Sequence, residues 1–303
     1  MAEDLHGILL LDKPLHMSSA GAVARAKYLF RARKAGHTGS LDPLATGMLP
    51  ICFGEATKFG AQLLDADKTY RVSLRLGERT PSADRESQVV ERRELPPFCE
   101  DQLIEALANF PRLYQQIPPM HSALKQDGKP LYEYARAGIT RERAARTITI
   151  HAMTFISWRR PDLSFDVRCT KGAYIRVLAE DLAAQLGTIG YLEALRRLSV
   201  APFGDAKLWS FEALDALPAL GLRELLLPVD AALGAWRRLD LSTDGVHAIR
   251  QGRSVVLSGQ PVDGEPGPVR IYADGFGFLG LGEIEPAGRL VPRRLISAEC
   301  DEA

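Results

Sequence analysis

Cysteine is scarce in this 303-residue chain, and its four copies are scattered. Cys52, Cys99, Cys169 and Cys300 form no C-x-x-C pair, so neither a metal-binding knuckle nor a disulfide framework is expected. Reduced thiols suit a cytosolic chain. Long apolar runs are missing too, and nothing approaches the roughly 18 consecutive residues of a membrane-spanning helix. The N-terminus opens Met1-Ala2-Glu3-Asp4 and its first apolar run is only Ile8 to Leu11, which is not the pattern of a secretory signal. The Leu-rich stretch from Ala213 to Trp236 is broken by Asp215, Pro218, Arg223, Glu224, Pro228 and Asp230, and predicts short core helices. There is no P-loop sequence, and strand–glycine–helix units do not recur, so a doubly wound nucleotide-binding fold is not expected. Net charge is absent as well: 38 basic residues balance 38 acidic ones, which argues against an indiscriminate nucleic-acid binder.

The balance is uneven along the chain. Residues 13–60 hold seven Lys/Arg against two Asp/Glu, residues 111–147 hold seven against three, and residues 260–303 hold four against eight. Local patches, not the total, decide contact with phosphates. For the first of these, Arg25, Lys27, Arg31, Arg33 and Lys34 fit a basic patch and a solvated helix face equally well.

The first basic segment encloses Gly36-His37-Thr38-Gly39-Ser40-Leu41-Asp42-Pro43-Leu44-Ala45-Thr46-Gly47-Met48-Leu49-Pro50. Three glycines and two prolines make it a shaped loop. Asp42 is its one carboxylate. A lone acid in a rigid, mostly apolar loop is a candidate nucleophile or general base; spacing alone favours the plainer alternative, a turn Asp capping its own backbone. His37 has no cluster of metal-binding residues around it.

Periodicity predicts the elements around this loop. Ile8–Leu11 reads as a short buried strand. Ser18 or Ser19 caps a helix running to about Phe30, Leu49–Phe53 reads as a strand and Glu55–Leu64 as a helix. Thr69–Leu76 alternates Tyr70, Val72, Leu74 and Leu76 on one face, as a strand does. Residues 77–97 are polar and predict an exposed loop or hairpin. Further on are a helix over Asp101–Asn109, strands over Thr147–Trp158 and Leu163–Thr170, and an amphipathic helix over Tyr174–Leu186. A boundary is expected near 236, dividing 1–236 from a small β-rich unit over 237–303. At that size the second unit needs support from the first.

The string from His37 to Phe59, with Gly7–Pro14, Asp67–Val72, Gln116–Lys125, Gly128–Arg136, Lys171–Arg176 and Leu195–Leu198 in the same order, resembles the tRNA pseudouridine synthases of the TruB type over nearly the whole chain. The resemblance implies isomerisation of the T-loop uridine at tRNA position 55. It implies an α+β pseudouridine synthase core, with an extended, mainly antiparallel sheet flanked by helices. It also implies an RNA-binding insertion at about 112–146 and a PUA-like C-terminal domain. It assigns Asp42 as nucleophile and Arg176 as its ion-pair partner, expected to grip it as a bidentate fork. It makes Tyr70 the residue that stacks the flipped base, its hydroxyl a candidate for removing the C5 proton. His37 becomes an RNA contact, Leu195 and Tyr174 walls of the uracil pocket, and Lys13 and Pro14 supports of the catalytic loop. Thr38 is a candidate donor to Asp42 or to phosphate. Lys125 and Arg136 belong to the basic, aromatic-rich insertion that suits exposed bases. No metal or organic cofactor is implied. The partner is the T arm of tRNA, with no membrane and no obligatory protein partner, the protein acting as a cytoplasmic monomer. A non-catalytic tRNA-binding or folding module is the alternative, and it is compatible with catalysis. A guide-RNA-dependent branch is disfavoured by the short acidic end Glu299–Ala303, and a hydrolase using Asp42 as general base predicts free uracil or cut RNA.

Overall fold

The computed structural model describes residues 3–122, 124–257, 266–286 and 288–297. An eight-stranded sheet carries the first unit, in the order Gly7–Lys13, Ala45–Phe53, Gly190–Val200, Lys68–Leu76, Asp162–Cys169, Arg146–Arg159 and Leu113–Gln116, with Ala35–His37 paired to Ala45–Phe53. All these pairings are antiparallel except that of Gly190–Val200 with Ala45–Phe53. The fold is therefore the mainly antiparallel α+β core expected. The predicted strands lie within a residue or two of their observed ends, except that the one over Leu49–Phe53 starts earlier, at Ala45.

Two features differ from expectation. The glycine- and proline-rich segment is less loop than it reads, because Ala35–His37 and Ala45–Phe53 are strands and only residues 38–44 leave the sheet. The central strand Gly190–Val200 has no alternating pattern to announce it. It lies between two neighbours, and even its Arg197 is 1% exposed.

The helices flank the sheet. Ser18 caps the helix Ser19–Leu29 by accepting from the amide of Gly21 at 3.0 Å, while Ala22 and Ala26 bury its inner face. The helix Ile175–Gln185 buries Ile175, Leu178, Ala179 and Leu182, a spacing that sets one apolar stripe against the sheet. The helix expected over Glu55–Leu64 is a 3-10 turn, Gly54–Phe59, followed by a short α-helix, Gly60–Asp65.

The C-terminal unit is a five-stranded sheet in the order Arg237–Leu241, Gly267–Ala273, Gly277–Ile284, Arg289–Leu295 and Val255–Val256, with the helix Thr243–Arg250 packed on it. Gly275, Gly277 and Gly280 here have the spacing of a dinucleotide fingerprint. Gly275 lies in the turn between two antiparallel strands, and Gly277 and Gly280 lie in the second of them, whereas that fingerprint needs a strand leading into a helix. The small sheet leans on the larger unit. Phe278 meets Phe59 edge to face at 5.4 Å, and Lys58 Nζ donates to Glu55 Oε2 at 2.6 Å and to the carbonyl of Leu295 at 3.1 Å. Cys300 and the acidic end Glu299–Ala303 lie outside the described residues.

Candidate active site

The loop at 38–44 is fixed before it presents anything. Leu41 and Leu44 plug into the core at 6% and 2% exposure. The Ser19 hydroxyl accepts from the Leu41 amide at 2.8 Å and donates to its carbonyl at 3.0 Å. Behind the loop, Gly47 has φ +99°, and a Cβ there would stand 2.2 Å from the carbonyl oxygen of Arg197. Only glycine lets the two strands approach this closely. With its neighbours anchored on both sides, Asp42 projects a half-exposed side chain.

That carboxylate does not cap its own turn. Asp42 Oδ2 lies 3.1 Å from Nε of Arg176, whose side chain is 6% exposed. Arg176 comes from the second residue of the helix Ile175–Gln185, and its guanidinium is shared. Nη1 lies 3.6 Å from Asp84 Oδ2 and donates to the carbonyl of Ser82 at 3.2 Å, while Nη2 donates to the carbonyl of His121 at 2.7 Å. The bidentate fork on Asp42 is thus absent, because the remaining donors are drawn to Asp84 and two backbone oxygens.

The sequence does not single out Asp84. Its segment reads as an exposed loop, yet Thr80, Ala83 and Asp84 are buried. The turn closes on Asp84 itself. Thr80 Oγ1 donates to its carbonyl at 2.6 Å, Ser82 Oγ donates to its carboxylate at 2.6 Å, and the Glu86 amide donates to the same oxygen at 3.1 Å. The Thr-Pro-Ser-Ala-Asp string is turn chemistry, and it was the one available signal. Burial and the carboxylates of Asp84 and Asp42 push Glu86 above the usual carboxylate range.

Two cavities meet at Asp42 and Arg176. One, of about 340 Å³, is lined by Ser18, His37, Asp84, Glu86, His121 and Tyr132 among others. The other, of about 400 Å³, includes Tyr70, Tyr174, Leu195, Leu64, Lys68 and Arg197. Tyr70, Tyr174 and Leu195 are thus brought together with Asp42 and Arg176, and His37 stands on the opposite side. Gln116 pins Tyr174 by accepting from its amide at 2.7 Å and donating to its carbonyl at 3.0 Å. Lys125 and Arg136 line neither cavity. Both are exposed on the insertion, with the Arg136 guanidinium 5.3 Å from the centre of the Tyr132 ring. Thr38 is buried, and its hydroxyl has no hydrogen-bond partner among the described residues, so it does not donate to Asp42.

Arg197 ties the two sides of this site together. It is directly opposite Tyr70 in one strand pair and Gly47 in the other. Its Nε donates to the carbonyl of Met48 at 2.7 Å and Nη2 to that of Gly39 at 3.1 Å, and the guanidinium meets the Tyr70 hydroxyl. Burial lowers the Arg197 pKa and raises that of the Tyr70 phenol, the contact between them opposing each shift. Lys68, in the same wall, is lowered to about 8 by burial and by Arg197. Its ammonium donates to the carbonyls of Leu63, Leu64 and Ala66. His37 is lowered by burial and then by Arg197, so it presents a neutral ring at neutral pH. Lys13 is fully buried, its ammonium donating to the carbonyls of Pro14 at 2.9 Å and Met17 at 2.6 Å. This holds the turn whose His16 amide donates to the Pro43 carbonyl, next to Asp42.

Sequence and fold together place the chain among the pseudouridylate synthases, the class being carried by the sequence and the fold having a solved counterpart. Over 96% of its length it superposes on 84% of a chain from the crystal structure of a Cbf5–Nop10–Gar1 complex, with a TM-score of 0.71 and 23% identity. The family follows from sequence. Residues 27–175 match the N-terminal domain of TruB family pseudouridylate synthases, residues 176–234 the tRNA pseudouridylate synthase B C-terminal domain, and residues 238–296 the C-terminal region of pseudouridine synthase II TruB. The chain is 45% identical to tRNA pseudouridine synthase B of Nitrosococcus oceani, covering 98% of this chain and 96% of that protein. It is 47% identical to the protein of the same name from Azoarcus sp., covering 97% and 95%. The chain belongs to the TruB family.

Proposed function

We propose that this chain isomerises the T-loop uridine at tRNA position 55 to pseudouridine, with Asp42 as the nucleophile. One observation carries the reading: a half-exposed carboxylate, ion-paired to a buried arginine, opens into a cavity walled by Tyr70, Tyr174 and Leu195. The reaction breaks the bond between C1′ and N1, turns the uracil in place and forms a bond from C1′ to C5; the C5 proton is released and N1 takes one up. An enzyme of this kind needs an ionised nucleophile, an aromatic platform and a wall that holds the detached base away from water. Asp42 adds to C1′, and is displaced as C5 bonds to C1′, or adds to C6, and is expelled as the C5 proton leaves and the C5–C6 double bond re-forms. Tyr70 stacks the extruded base, Leu195 and Tyr174 confine it, and Arg176 aims the carboxylate. His37, Lys125, Arg136 and the insertion hold the surrounding RNA, and Lys13 and Pro14 support the loop.

On this reading residues 1–236 form the catalytic domain and 237–303 a PUA-like RNA-binding domain, acting as a monomer in the cytoplasm. Among the described residues no helix is long and apolar enough to cross a membrane.

The test is tritium release from a T-arm stem-loop labelled at uracil C5, with wild type beside Asp42→Asn. Release by the wild type alone, from intact RNA, is expected. Tight binding without release by either protein overturns catalysis in favour of a binding or folding module. Free uracil or cut RNA indicates a hydrolase.

A further inference from the structure

The helix Ser19–Leu29 begins at the first cavity, where Ser18, Ser19 and Ala20 form part of the wall. Its far end carries a feature the site does not use. Tyr28 is 85% exposed, more than any other large hydrophobic side chain among the described residues. Beside it in the chain, Lys27, Arg31, Arg33 and Lys34 are exposed and form no ion pair among the described residues. Arg25, on the same helix, is spent elsewhere. Its Nη2 lies 2.6 Å from Asp215 Oδ2, and its guanidinium stacks 4.3 Å from the centre of the Phe211 ring. Glu3, whose backbone pairs with this turn at Arg31 and Arg33, commits its carboxylate to Arg223. Four exposed cations therefore lie within six residues of one bare aromatic ring in the chain, with the nearest bonded acid neutralised.

We infer that this end of the helix is a second RNA contact, in which Tyr28 stacks an unpaired base and Lys27, Arg31, Arg33 and Lys34 hold the flanking phosphates. A solvated aromatic beside a cationic track is the composition that binds single-stranded nucleotides with little regard to sequence. The inference rests on the proposed tRNA substrate, and distance identifies which part of it. From Ser18 to Tyr28 the helix rises about 15 Å. With the target base in the cavity, T-arm nucleotides that far along its axis are in the paired stem, whose bases cannot stack on a side chain. The base on Tyr28 therefore comes from a loop outside the T arm, and the occupant is folded full-length tRNA.

The experiment compares full-length tRNA with an isolated T-arm stem-loop. Equilibrium binding and C5 tritium release are measured for wild type, Tyr28→Ala and the combined variant Lys27→Gln, Arg31→Gln, Arg33→Gln. Tyr28→Ala should bind full-length tRNA about tenfold more weakly. The triple variant should flatten the slope of log affinity against log salt by about 2–3. Both should bind and convert the stem-loop as wild type does. Unchanged affinity of Tyr28→Ala for full-length tRNA overturns the inference, as does equal weakening on the stem-loop. Binding that responds to Tyr28 while the wild type releases no tritium strikes the proposed function alone.

Discussion

Arg176 serves two carboxylates at once: its Nε lies 3.1 Å from Asp42 and its Nη1 3.6 Å from Asp84. Asp84 is 3% exposed and keeps the guanidinium from rotating fully onto Asp42. Asp84→Asn retains the oxygen that accepts from the Glu86 amide, so the turn should persist while the charge that anchors Nη1 is lost. Displacement by about 1 Å can cost 10²-fold in rate, and a fall of that order is expected in single-turnover pseudouridine formation, with tRNA affinity unchanged. Unaltered turnover would show that Asp42 alone positions the arginine.

Tyr70 combines a ring in the cavity wall with a hydroxyl on Arg197. Tyr70→Phe keeps the stacking face, so it should bind tRNA as wild type does. If the hydroxyl takes part in proton removal, C5 tritium release should slow by about 10²-fold or more, within the usual contribution of a positioned acid or base. Tyr70→Ala should additionally weaken binding by about 1–3 kcal/mol, the worth of one stacked base. Full activity of the Phe variant would reduce Tyr70 to a platform.

Lys13 gives a pH signature. Burial, partly opposed by Asp42, lowers its pKa to about 8, below the value of an unfolded lysine. Between the two values the unfolded chain holds a proton that the folded chain has released, so this residue's contribution to stability rises with pH there. A neutral amine still has two hydrogens for its two carbonyl partners. Going from pH 7.5 to 9.5, wild type should gain about 1–2 kcal/mol relative to Lys13→Met, as measured by urea unfolding. Parallel pH profiles would mean that Lys13 titrates normally.

Gly47 and Gly39 both have positive φ, but their surroundings differ. A Cβ at position 47 collides with the Arg197 backbone at 2.2 Å, whereas at position 39 it meets side-chain atoms no closer than 3.6 Å. Gly47→Ala should therefore lower stability by about 3 kcal/mol or more, through strain and displacement of a packed strand. Gly39→Ala should cost about 1–2 kcal/mol, chiefly from its backbone conformation. Thermal unfolding of the two variants side by side checks the order.

Elements with a clear period were legible before any coordinates. Alternation placed the strand around Tyr70 and Val72, and the serine cap marked the first helix. The strand carrying Leu195 and Arg197 was hidden because paired neighbours on both sides and a buried arginine erase the two-residue period. Asp84 was hidden for a related reason: its polar segment reads as solvent-exposed, although hydrogen bonds from Thr80, Ser82 and Glu86 satisfy a turn that is tucked inside. Thr38 does not donate to Asp42 and the expected fork on Asp42 is absent, because a side chain's partners depend on competing donors and acceptors that are distant in sequence.

The sequence by itself determined the family and, through it, the mainly antiparallel core and five of the residues that meet at the cavity, Asp42, Arg176, Tyr70, Tyr174 and Leu195, since ordered motifs are a property of the chain alone. Only the tertiary structure decided how those residues share their charge. Arg176 divides between Asp42 and Asp84, Arg197 joins Tyr70 to the loop, Arg25 is withdrawn from the basic helix, and Tyr28 is left bare beside cations that have no ion pair among the described residues. Ion pairing, burial and desolvation depend on distances between residues as far apart in the chain as Asp42 and Arg176, and those distances exist only after the sheet has formed.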